Sequence, residues 1–352
     1  MIKKIFKIGK REIGPGQPVF IVAEMSGNHN QSFKRAKELV EAACDAGVDA
    51  IKLQTYTADT LTIDSSEKWF QVKVNESWKG KSLYELYQEA YTPWAWQPKL
   101  KEIAEKRGVL LFSTPFDETA VDFLDKMKVP VYKVASFEIG DLELLKKIAS
   151  KKKPVILSRG MASLEEIRLA LSTLKKNGAS DIALLHCVSS YPARIEDMNL
   201  ATINDMRKRF GVVSGLSDHS LGISAAIAAV VLGASIIEKH FTLRRVDGGP
   251  DASFSLEPKE LKQLVIAIRE VEKAIGRIQY GAGKKESENI VFRRSLFAVE
   301  DIEANELFTR KNIRCIRPGY GLAPKLLPRV LGKKAKEKIK KGTPLKWNLI
   351  KN

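Results

Sequence analysis

Several short apolar runs of this chain end in residues that could do chemistry. They are "VFIVAE" (19–24), "DAIKLQT" (49–55), "VLLFSTP" (109–115), "VYKVAS" (131–136), "PVILSRG" (154–160), "IALLHC" (182–187), "GVVSGLSDHS" (211–220) and "SIIEKHF" (235–241). Their polar ends are Glu24; Lys52 and Gln54; Ser113 and Thr114; Lys133 and Ser136; Ser158; His186; Ser217, Asp218 and His219; and Glu238 and His240. Neutral imidazoles beside carboxylates suit a divalent transition metal. His219 and His240, with Glu238 and Asp251 nearby in sequence, form such a set, although the spacing is not that of a zinc motif. Core or general-base histidines are the alternative. His186, enclosed in its apolar run, is expected to be structural. Lysines at strand ends are costly unless they pair with an anion or form a Schiff base. The hydroxyls of Thr114, Ser136, Ser158 and Ser217 favour a cradle in which Lys52 and Lys133 hold a phosphate and a carboxylate. Schiff-base aldolase chemistry on Lys133 is the competing reading.

The elements that must position these residues follow from periodicity. Helical patterns cover 33–46, 95–107, 117–127, 141–150, 163–177, 199–209, 222–232 and 257–275, alternating with the eight runs. Parallel strands need helical crossovers and read as near-continuous apolar runs, so the expected fold is an α/β (β/α)8 TIM barrel. Strand C-termini converge on one mouth of such a barrel, which brings all the polar ends together. The second connection, 56–94, is rich in aromatics and far longer than an ordinary βα loop, so it is expected to cover that mouth. Beyond the barrel, "GAGKKESEN" reads as a linker and is followed by short strands with Gly and Pro turns. The expected domains are 1–280, a linker at 281–292, and a small domain at 293–352 that needs something to dock against.

Composition narrows the classes. The 59 Lys and Arg and 42 Asp and Glu give a formal charge of +17, but no dense basic run interrupts the first 280 residues. Attraction of an anionic substrate is expected rather than nucleic-acid binding. Cys44, Cys187 and Cys315 lack metal-ligand spacing and suit free thiols in a reducing cytoplasm. No apolar run approaches the roughly 18 residues that would span a bilayer, so no membrane partner is expected.

Together "EMSGNHN", "IKLQTY", "STPFD", "YKVAS", "LHCVSSYP", "GLSDHSLG", "IEKHFT" and "GPDASFSL" resemble the nonulosonic (sialic) acid synthase family. The tail, around "RPGYGLAP", resembles that family's antifreeze-protein-like (SAF, β-clip) domain. The resemblance implies condensation of phosphoenolpyruvate with an N-acylated amino-sugar aldehyde, phosphate release by C–O cleavage, and a divalent ion such as Mn²⁺ or Mg²⁺. It implies that Lys52, Thr114, Lys133, Ser136, Ser158, Ser189 and Ser217 bind phosphoenolpyruvate, Ser189 standing where relatives carry Asn. His219 and His240 would hold the metal, Glu24 or Glu238 would handle a proton, and Gln54, Tyr191 and Asp251 would contact the sugar. It also implies a domain-swapped homodimer in which Arg317 reaches the partner's sugar. Within the family, "EMSGNHN", "LQTYT" and "YELYQEAYTPW" resemble the branch that makes pseudaminic acid. His29 is expected to shape its loop. Met25 and Ser26, which depart from the sialic acid pattern, are expected to carry preference for a less polar, 6-deoxy sugar.

Overall fold

The computed structural model describes residues 5–73 and 78–351. Two compact units divide the chain at Met1–Gly276 and Arg277–Asn352. Eight parallel strands close the first unit into a barrel: β1 (Phe20–Glu24), β2 (Ala50–Thr55), β3 (Leu110–Pro115), β4 (Tyr132–Val134), β5 (Val155–Ser158), β6 (Ile182–Cys187), β7 (Val213–Asp218) and β8 (Ile236–His240). Each strand pairs with its neighbours in sequence, and β8 pairs back to β1, setting His240 opposite Glu24. Eight helices follow: α1 (Phe33–Ala46), α2 (Gln97–Lys106), α3 (Glu118–Lys126), α4 (Leu142–Ser150), α5 (Leu164–Lys176), α6 (Thr202–Phe210), α7 (Ser224–Val231) and α8 (Pro258–Ile275).

Side-chain alternation sorts each strand into an inner and an outer face. In β2, Ile51 and Leu53 pack in one cluster with Leu39, Val40 and Ala43 of α1 and Leu100 of α2. Lys52 and Gln54 therefore face the barrel interior. The helices start and stop where local chemistry dictates. Ser32 caps α1 through the Arg35 amide, and Gly47 ends it at a φ of 86°, which an L side chain adopts only under strain. The expected strands and helices all form, with one adjustment. Strand β4 stops at Val134, and Ser136 stands on a 3-10 turn, Ser136–Glu138, where burial under the β5 loop replaces sheet pairing. A short antiparallel hairpin, Phe6–Ile8 with Arg11–Ile13, abuts Leu110 at the start of β3 through Gly9. It therefore lies at the end of the barrel opposite the mouth.

The second unit carries an antiparallel pair, β9 (Ser295–Ala298) and β10 (Ile313–Ile316), around a core that includes Leu296, Phe308, Ile339 and Leu345. Residues 286–292, expected as linker, form 3-10 turns within this unit.

One ion pair ties the two histidine-bearing strands together. Asp218 on β7 and Lys239 on β8 are register partners, and their charged atoms lie 2.8 Å apart at essentially no exposure. Asp218 also accepts from the amide and hydroxyl of Ser220. Alternation places this pair on the outer face, directly behind Ser217, His219, Glu238 and His240. Removing one partner of a buried pair strands a charge, at a cost of about 3–5 kcal/mol, whereas apolar replacement of both is far milder. Lys239→Met is therefore expected to lower the urea midpoint sharply, and Asp218→Leu combined with Lys239→Met to recover much of the loss; equal midpoints for single and double variants would refute the clamp.

Candidate active site

The strand ends enclose one cavity of about 490 Å³. Its floor is charged. The Lys52 ammonium lies 2.6 Å from Glu24 and 3.3 Å from Glu238 and donates to the Thr114 hydroxyl at 3.2 Å. Burial works against the Lys52 charge, but Glu238 and Glu24 outweigh it and hold its pKa above the ordinary value. The two carboxylates are pushed apart. Burial raises Glu24, with Lys52 opposing, whereas for Glu238 the pull of Lys133 and Lys52 outweighs burial and keeps it ionised. Two acids with divergent pKa values are suited to different roles in proton transfer.

Lys133 has a different environment. Its ammonium donates to the Val134 carbonyl at 2.9 Å and the Ser158 hydroxyl at 2.7 Å, both neutral, and burial pulls its pKa down. Hydroxyls complete this side. Ser217 donates to Glu238 at 3.0 Å, and Ser136 and Ser189 lie 2.9 Å apart. Gly160 shapes that last pair: at φ 47°, an added Cβ would come within 2.4 Å of the Ser136 Cβ and 2.9 Å of the Ser189 oxygen.

Across the cavity the His219 and His240 rings lie 5.2 Å apart. The Nδ1 of His219 is 2.9 Å from the Val188 carbonyl, which can only accept, so this nitrogen carries a proton and, in the neutral ring, Nε2 holds the lone pair; burial opposes the charged ring, but Cys187 and the Val188 carbonyl outweigh it and raise the His219 pKa. Burial keeps His240 neutral, and its Nδ1 has no hydrogen-bond partner, with Asp251 3.7 Å away. Among the described residues no three His, Cys, Asp or Glu cluster as a ready metal cage. Two imidazoles with available lone pairs, one oriented by a backbone carbonyl, nevertheless fit a metal that takes its other ligands from substrate or water.

Other expected residues join this cavity. Gln54 donates to Glu24 at 3.3 Å, Ser26 donates to Asp251, and the Tyr191 ring stacks 4.4 Å from His219. Arg317 lies in the second unit, just past β10, and is exposed. His186 and His29 do not reach the cavity. His186 accepts from Arg159, His29 sits 3.1 Å from Thr92, and burial lowers each to about 4. The His29 loop is held in an unusual shape, with Ser26, Asn30 and Gln31 at positive φ. Asn30 donates to the Asp247 and Gly248 carbonyls and Gln31 to those of Glu89 and Tyr91, which sustains the strain.

Two findings depart from the sequence reading. Met25 is packed in the outer apolar layer with Ala23 and Val40, so only Ser26 of the Met25–Ser26 pair can touch a ligand. Glu138 was not anticipated. It lines the cavity, one of its oxygens is buried without a partner, and burial raises it to about 7. Its position two residues after Ser136, on a turn without periodicity, left only proximity to Lys133 as a signal.

The NeuB family profile matches residues 39–280 and the SAF domain profile residues 293–351. Pseudaminic acid synthase of Campylobacter jejuni is 44% identical over 328 residues, covering 93% of this chain and 95% of that protein. The N,N'-diacetyllegionaminic acid synthase of the same organism is 40% identical, covering 91% and 96%. Among solved structures, the N-acetylneuraminic acid synthetase of Leptospira borgpetersenii in complex with citrate superposes with a TM-score of 0.72 at 36% identity, over 82% of this chain and 95% of that one. With its barrel, its second unit and its lysine-and-histidine mouth, the chain belongs to the NeuB family.

Proposed function

We propose that this chain is a pseudaminic acid synthase, condensing phosphoenolpyruvate with 2,4-diacetamido-2,4,6-trideoxy-L-altrose and water to give a nine-carbon nonulosonic acid and phosphate. The observation that carries the chemistry is the floor of the cavity, where Lys133 donates only to neutral partners, the Val134 carbonyl and the Ser158 hydroxyl, while Ser136 and Ser217 line the same cavity and Ser189 pairs with Ser136. A desolvated ammonium among hydroxyls is a site for a phosphate and a carboxylate. The identity to the Campylobacter enzyme supports the choice of sugar.

In this reading, Lys52, Thr114, Lys133 and the serines orient phosphoenolpyruvate so that its C3 attacks the sugar aldehyde carbon. The aldehyde oxygen takes a proton as the new C–C bond forms, and positive charge develops at C2. Water adds at C2, with Glu24 or Glu238 removing its proton, each within reach of the same ammonium group. The resulting tetrahedral carbon collapses to the ketone, breaks its bond to the bridging oxygen and releases phosphate. Gln54, Tyr191 and Asp251 hold the sugar. A divalent ion, Mn²⁺ or Mg²⁺, held by His219 and His240 would supply Lewis-acid polarisation of the aldehyde. His219→Ala and His240→Ala are each expected to leave the fold intact and to remove Mn²⁺ binding measured by calorimetry; undiminished binding in both would refute the metal assignment.

A second reading keeps the chemistry and changes the sugar, and the four-point margin between the two Campylobacter relatives favours testing it. Phosphate release is expected with the altro-configured diacetamido sugar. Turnover only with N-acetylmannosamine or the legionaminic acid precursor would overturn the assignment.

Assembly follows the same reading. Exposed apolar side chains stand after successive strand ends at the mouth, Phe137, Met161, Ile195, Leu221 and Val246, the last 87% exposed. Such a ring is a surface for another chain, and we assign it to a swapped homodimer in which Arg317 reaches the partner's sugar. Light scattering is expected to give twice the chain mass, and a monomer at micromolar concentration would remove this assignment. Free cysteines suit a reducing compartment, and no helix among the described residues is long and apolar enough to cross a membrane; we place the enzyme in the cytoplasm.

A further inference from the structure

The cavity is chemically two-ended. Strand ends supply the charged floor, whereas a single segment, the long connection after β2, supplies an outer wall of Val72, Trp78, Leu83, Leu86, Tyr87 and Ala90. Of the polar side chains this connection adds to the lining, Gln71 and Lys73 are exposed, and Tyr56 and Tyr87 pack their rings edge-on 5.6 Å apart, each keeping a phenol hydroxyl. Trp78 adds no hydrogen-bonding group to the wall, because its indole N–H is already committed to the Pro250 carbonyl at 2.8 Å. Its ring lies 5.8 Å from Tyr191, which in turn stacks on His219, so the wall continues directly from the histidine end of the floor. Helix Leu83–Ala90 presents the rest, fixed at its start by a capping box between Ser82 and Glu85.

We propose that this wall is the sugar-selecting surface of the enzyme, receiving the deoxygenated end of an open-chain amino sugar and disfavouring one that carries a hydroxyl there. The inference rests on the pseudaminic acid reading above. The aldehyde carbon must meet phosphoenolpyruvate on the charged floor, so the opposite terminus of the open chain points outward, toward the connection. A methyl group there removes apolar surface from water. A hydroxyl at the same place loses its water and meets Leu83, Leu86 and the face of Trp78, none of which offers it a hydrogen bond. Met25, on the outer face of β1, has no part in this selection.

The test compares kcat/KM, by phosphate release, for the 2,4-diacetamido-2,4,6-trideoxy sugar and for its 6-hydroxy counterpart. Apolar pockets discriminate against an added hydroxyl by about 100-fold, which is the expected preference of the unaltered protein. Leu83→Gln places an amide on the wall at a half-buried helix start, and Trp78→Ala removes its largest apolar face. Each is expected to lower the preference at least about tenfold, acting on the KM for sugar, while the KM for phosphoenolpyruvate stays unchanged and reports an intact floor. An unchanged preference in both variants, with the deoxy sugar still favoured by the unaltered protein, would overturn the wall and leave the functional assignment standing. Failure of the unaltered protein to use the deoxy sugar at all would overturn both.

Discussion

Two ammonium groups buried in the floor of a barrel impose the constraint to which the rest of the mouth answers. Desolvating a lysine costs several kcal/mol unless an anion or a full set of acceptors replaces its water. Lys52 meets that demand internally, with Glu24 and Glu238 on either side. Lys133 does not, since only a hydroxyl and a backbone carbonyl accept from it, and its charged form is correspondingly disfavoured. A bound dianion would reverse that balance, so the protein holds one lysine already neutralised and another whose charge an anionic ligand would stabilise. Glu238, facing both, remains ionised, while Glu24 bears the burial penalty and is the readier of the two to carry a proton.

Much of this was legible in the sequence because a parallel barrel makes strand ends converge whatever the loops do. Eight apolar runs ending in polar residues were sufficient to bring Glu24, Lys52, Lys133, Ser217, His219, Glu238 and His240 to one place. The roles of His29 and His186 followed from their surroundings in the same way. Runs read as uniformly apolar hide the parity of each strand, however, which is why Met25 was mistaken for a cavity residue and why the outward pairing of Asp218 with Lys239 went unseen. Residues on turns had no period to betray them. Glu138 emerged only when tertiary packing set it beside groups distant in sequence, whereas the length and aromatic content of the 56–94 connection already marked it as a cover of the mouth, and Trp78, Leu83 and Tyr87 do line the cavity.

The second unit is a different kind of object. Its small apolar core, with Leu296, Phe308 and Leu345 at its centre, is surrounded by lysines and arginines, and its Arg317 is exposed. A unit of this size buries too little surface to be strongly stable by itself. That need for a docking surface, together with the exposed apolar residues around the mouth of the barrel, is what gives the homodimer reading its physical motive.

The clamp between Asp218 and Lys239 has a consequence for how such enzymes diverge. Because it fixes β7 to β8 from behind, sheet register sets His219, the residue after β7, beside the end of β8 that carries His240, and the Val188 carbonyl then orients the His219 ring. The wall proposed to face the far end of the sugar, by contrast, comes from one insert between β2 and α2 that, among the described residues, contributes nothing to the floor. Reaction and selectivity thus reside on separately replaceable parts of the chain. A lineage can exchange the insert, and with it the sugar it accepts, without disturbing the groups that break and make bonds.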